Sequence, residues 1–207
     1  MALIVGGTTV TGTQTLDATK LTGNLPAISG ASLTGTPHDM IRLGGANATG
    51  QNAGDVSFDL FSTTYDFYYV TYALSYVSAT TAWVRLRASS SYITAGNYRQ
   101  GMVGIRSDGT ARNITHETST YFQLGSSAEA SNSHNSHAGH LLFQKPMVSS
   151  KTTQLNMQCT VLDTSSNVID KTGGGVYLAT GSHNGFGIMG GANLDEYNIQ
   201  VFGVKQS

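Results

Sequence analysis

The run Tyr65–Val77, YDFYYVTYALSYV, constrains this chain more than any other stretch. Nearly every position is apolar or aromatic, and Tyr, Phe, Val and Thr are side chains that pack well on a pleated surface. An amphipathic helix would need a polar face recurring at the helical period, and the run has none. It is read as a central strand with both faces covered. Such a strand needs neighbours on each side and layers above and below.

The neighbours are legible as alternation. Val56, Phe58 and Leu60 alternate with Ser57 and Asp59, the period-two pattern of a half-buried strand. Ala82–Ala88 sets Val84, Leu86 and Ala88 against Trp83, Arg85 and Arg87, so the aliphatic side should face a core. Further strands are expected at Gln100–Arg106, Thr120–Leu124, His140–Val148, Thr153–Val161, Gly175–Ala179, Gly185–Met189 and Glu196–Lys205. Ser107–Thr110 and Asp163–Asn167 carry turn chemistry. Many short strands, with no long helical stripe, predict an all-β fold: an antiparallel β-sandwich, jelly-roll-like, over residues 38–207.

Residues 1–37 differ in kind. Met1–Pro37 contains no aromatic residue and is built largely of Thr, Gly, Leu and Ala, too little to bury a core of its own. Within it Val10-Thr11-Gly12, Leu21-Thr22-Gly23 and Leu33-Thr34-Gly35 recur at steps of 11 and 12 residues. Three copies side by side could bury Leu21, Leu25, Ile28 and Leu33 on one axis, so these are the expected trimerisation and attachment residues. The segment is read as extended.

Charge narrows the partners. Only 11% of the 207 residues are charged and the net charge is −1, against about 25% charged in an ordinary soluble domain. With no basic cluster to displace counterions, nucleic acid is not an expected partner. No segment approaches the roughly 20 apolar residues of a membrane helix, and Ala2–Val5 is too short and lacks the basic flank of a signal peptide. Weak net charge favours association. The single cysteine, Cys159, excludes an intrachain disulfide and alternates with Leu155, Met157 and Val161, as a buried small hydrophobe would.

Chemistry-bearing motifs fail in context. Gly185-Phe-Gly187-Ile-Met-Gly190 has dinucleotide-loop spacing but too little chain beyond it for the βαβ unit that spacing requires; it is read as a glycine-rich turn or bulge. His134, His137 and His140 in SNSHNSHAGH are weak metal candidates in what reads as an exposed loop, and no metal or other cofactor is expected. No nucleophile elbow is present, and the adjacent acids Asp195-Glu196 would point to opposite faces of a strand, so no catalytic residue is assigned and the chain is not expected to be an enzyme. Trp83, Arg85, Arg87, Tyr92, Tyr98 and Arg99 form the candidate ligand surface, since aromatic platforms beside polar groups suit a glycan or a protein.

Asp17–Pro37, DATKLTGNLPAISGASLTGTP, resembles the KLTGNLPAISGASLTG type of repeat in tail-fibre and related virion proteins of tailed bacteriophages, particularly those of aquatic bacteria. Tyr197–Val204, YNIQVFGV, is similar to the final strand of their C-terminal β-domain. The resemblance implies a homotrimeric virion protein, assembled in the host cytoplasm, whose N-terminal segment docks on other virion proteins of the tail, baseplate or capsid. Its β-domain would be displayed outward, in reach of a host surface glycan. A capsid decoration or cement protein is the alternative expectation, and a glycan-degrading adhesin the third.

Overall fold

The computed structural model describes residues 3–5, 8–10, 40–125, 137–163 and 165–205. The chain divides into two units, Met1–Thr36 and Pro37–Ser207. In the first, β1 (Leu3–Val5) and β2 (Thr8–Val10) pair antiparallel, with Leu3 opposite Val10. Leu21, Leu25, Ile28 and Leu33 lie outside the described residues.

The second unit is all-β. Its strands are β3 (Met40–Ala48), β4 (Ala53–Phe58), β5 (Phe67–Tyr76), β6 (Ala82–Ala88), β7 (Ser91–Tyr92), β8 (Tyr98–Arg106), β9 (Ile114–Ser119), β10 (Phe122–Gly125), β11 (His137–Gln144), β12 (Thr153–Leu162), β13 (Val168–Tyr177) and β14 (Gly185–Val204). Every pairing among them is antiparallel, and the main path runs β10-β6-β14-β5-β11-β12-β13-β8-β9. The sheet curls on itself into a sandwich-like body.

The curl is made by β14. Its first part, Gly185–Gly190, pairs with β6 and β4, and its last part, Glu196–Val204, pairs with β5 and β3. Register shifts between Met189 and Leu194 and between Leu194 and Glu196 mark the bend, as expected where one strand passes from one layer to the next. Two separate strands were expected here. They are one because the glycines of GFGIMGG extend the chain rather than turn it: a Cβ at Gly190 would sit 2.4 Å from the Tyr76 ring, and one at Gly185 only 1.8 Å from the Phe58 carbonyl oxygen. Side-chain bulk is what β14 omits in order to bend under its neighbours.

The core lies between the arms. From β5 come Tyr68, Val70, Leu74 and Tyr76, from β6 Val84 and Leu86, and from β11 Leu141 and Phe143, all fully buried. Phe61 gathers Tyr68, Phe143 and Phe186 with ring centroids 4.3, 5.2 and 5.7 Å away. The strand read in Tyr65–Val77 with both faces covered is present as β5, buried on its inner face and half-buried on the other at Phe67, Tyr69, Thr71 and Ala73. Cys159 is buried on the inner face of β12, its thiol directed at the Leu124 carbonyl at 3.1 Å. Fully burying a side chain such as Leu74 or Phe143 contributes about 1.5–3 kcal/mol.

Candidate functional site

Alternation places Trp83, Arg85 and Arg87 on the outer face of β6, opposite buried Val84 and Leu86. The two arginines spend their donors within the molecule. Arg87 Nε–H donates to Asp59 Oδ1 (2.9 Å), and its Nη2–H to Asp59 Oδ2 (3.1 Å) and the Ser90 carbonyl (2.8 Å). The guanidinium lies over the Tyr92 ring at 4.8 Å. This fork holds the Asp59 carboxyl below its usual range, and the same carboxylate raises Arg87. The Tyr92 hydroxyl donates to Asp55, and burial, then that carboxylate, push it up to about 12. The Tyr92 ring occupies the space over Gly187, where a Cβ would stand 2.4 Å from its hydroxyl.

Trp83 stacks on Tyr121 with centroids 5.1 Å apart and planes 22° apart. Arg85 reaches the Thr120 carbonyl (3.2 Å) and also approaches the Tyr121 ring at 5.9 Å. Tyr98 departs from the expectation altogether. It is fully buried, packed at 4.8 Å against both Phe122 and Tyr177, donating to the Ile93 carbonyl (3.0 Å) and accepting the Leu86 N–H (3.1 Å). Tyr98 and Arg99 are neighbours in an extended strand, so burying one turns the other outward.

Arg99 instead belongs to a groove on the outer face of β8, β9, β12 and β13, about 530 Å³ in volume and open to solvent. Register explains it. Asn156, Gly174, Gly101 and Thr115 are successive partners across the four strands, and the two central positions carry no side chain. A Cβ at Gly101 would meet nothing within 4 Å; over Gly174 the Asn156 Oδ1 lies 3.1 Å from the Cβ position. Arg99, Glu117, Gln154 and Asn156 line the trough. Arg99 donates to Thr118 Oγ1 at 3.2 Å. Among the described residues the side chains of Glu117, Gln154 and Asn156 make no hydrogen bond or ion pair. Gln154 and Asn156 were visible in the sequence as the polar alternates of β12. The Gly101–Gly174 pair was not, because its members meet only through strand register.

The histidines are separated. His134 lies outside the described residues, whereas His137, expected in a loop, and His140, expected where that loop meets a strand, both stand on β11. An odd spacing sends them to opposite faces: His137 is buried near Tyr72 (6.2 Å between rings), and His140 lies half-buried beside Tyr69 (5.5 Å). Among the described residues no three His, Cys, Asp or Glu side chains gather as a metal site. The pair Thr153 Oγ1 and His183 Nδ1, 2.6 Å apart, is sealed in the interior, where burial lowers the His183 pKa.

No protein-family model, curated protein or solved structure matches the chain.

Proposed function

We propose that this chain is a structural protein of a tailed-bacteriophage virion, a trimeric tail fibre or short tail appendage that presents its β-domain outward. The observation that carries the reading is the phrase Val10-Thr11-Gly12 returning as Leu21-Thr22-Gly23 and Leu33-Thr34-Gly35, apolar anchors at steps of 11 and 12 residues in a segment with too little bulk for a private core. Such a segment gains burial by associating with copies of itself or with other virion proteins. The antiparallel body supports the reading in a second way. Its long outer face exposes amides and hydroxyls, such as Gln154, Asn156, Gln158 and Thr160 on β12, which solubilise a surface with little charge.

Immunogold labelling of intact particles with antibody to the β-domain tests the reading. Label at the tail is the expected result. Label confined to the head lattice would overturn it in favour of a decoration protein that clamps capsomers.

A further inference from the structure

The groove over Gly101 and Gly174 has the makings of a binding site that the aromatic and arginine residues of β6 lack. Those residues are spent on Asp59, Thr120, Tyr121 and Tyr92. In the groove the side chains of Glu117, Gln154 and Asn156 are unspent among the described residues, and Arg99 gives one bond, to Thr118 Oγ1. It offers one guanidinium, one carboxylate and two carboxamides, all planar groups able to engage two adjacent hydroxyls at once. One positive and one negative charge balance, which gives no preference for a phosphate or an acidic chain. The glycine floor leaves flat backbone, against which the CH face of a sugar ring can lie.

Shape limits the ligand further. The trough is shallow, unlike the deep cleft that encloses a small cofactor. Its floor lies on β12, β13 and β8, each paired on both sides, and the trough reaches β9, the last strand of the path, which pairs with β8. A peptide could pair as an added strand only along the outer edge of β9, beside the Gly101–Gly174 floor and not over it. An extended, hydroxyl-rich chain satisfies each limit.

We infer that this groove binds a neutral oligosaccharide, with Arg99, Glu117, Gln154 and Asn156 contacting hydroxyls over the Gly101–Gly174 floor. The site gives the outward domain of the proposed virion protein its ligand class, and rests on that reading for its biological setting.

The test uses the full chain and a panel of neutral hexasaccharides (maltohexaose, cellohexaose, mannohexaose) beside a hexasaccharide of uronic acids, read by isothermal titration and saturation-transfer NMR. At least one neutral hexasaccharide should bind. Gly101→Leu, which projects into open space, should weaken it at least tenfold while the melting temperature stays within a few degrees. The double substitution Gln154→Ala and Asn156→Ala, at solvent-facing positions, should do the same and guards against misfolding of the first variant. Absence of binding to every neutral hexasaccharide, binding of the uronic acid chain alone, or binding that both variants leave intact would each overturn the site. Immunogold location is independent of all three outcomes, so the site can fail while the virion reading stands.

Discussion

The side-chain amide of Gln100 stands in for a strand against Gln123: its Nε2–H donates to the Gln123 carbonyl at 2.5 Å, and its Oε1 accepts the Gln123 N–H at 2.7 Å. Gln100 is on β8 and Gln123 on β10, near opposite ends of the strand path. One side chain thus imitates a peptide unit and ties the two arms of the curled sheet together.

Gln100→Leu should therefore cost more than an ordinary surface change. Two half-buried backbone groups of Gln123 lose their partners, each at less than the about 1–3 kcal/mol of a fully buried group, so a total of about 1–4 kcal/mol is expected from urea denaturation. A variant within 0.5 kcal/mol of the parent, by the threshold about ±0.5 kcal/mol that marks neutral surface changes, would show that the arms are held by apolar packing alone.

The ion pair of Arg87 and Asp59 gives a second case. Arg87 is only 9% exposed, and Asp59→Ala leaves its charge with the Ser90 carbonyl and the Tyr92 ring. Loss of about 1–3 kcal/mol is expected, less than for a fully buried pair because Asp59 is partly solvated. The folded state depresses the Asp59 pKa, so the carboxylate stabilises above its unfolded value near 4 and that contribution fades as pH falls through the lower folded value. Parent and variant should converge in stability in acid. Curves that stay parallel down to about pH 2 would contradict the pairing.

His183 predicts the opposite end of the same experiment. Burial holds it neutral beside Thr153, whereas in the unfolded chain it takes a proton near pH 6.5. The unfolded state then binds more protons, so stability falls as pH drops below about 6.5, until the depressed folded value is reached. His183→Gln should flatten the difference in denaturation midpoint between pH 7.5 and pH 5. An NMR titration placing His183 of the folded protein at or above 6.5 would refute the assignment.

Two glycines should behave oppositely. Gly185→Ala drives a methyl into the Phe58 carbonyl, a backbone atom that moves only with β4, and a loss of about 3 kcal/mol or more is expected. Gly101→Ala points into solvent and should stay within about 0.5 kcal/mol of the parent. Equal losses in thermal denaturation would mean that backbone entropy, not close approach, explains both positions.

Much of the second unit was legible one strand at a time. Val84 and Leu86 turn inward and Trp83 and Arg85 outward because a strand's side chains alternate, whatever it pairs with. The turn at Ser107–Thr110 was legible too: Asp108 Oδ1 accepts the Thr110 N–H at 2.9 Å, and Gly109 takes φ +86°. Tyr98 was misread because an aromatic beside an arginine looks the same whether its ring meets solvent or Phe122.

By itself, the sequence determined the all-β class, the faces of the strands and the compositional division between a repeat without aromatic residues and an aromatic-rich body, since each follows from local periodicity and side-chain bulk. Tertiary structure alone decided that Gly185–Val204 is one bent strand, that β10 meets β8 through Gln100, and that Gly101 faces Gly174 to open a groove. These depend on register between strands distant in the chain, set by the summed packing of partners that no local window contains.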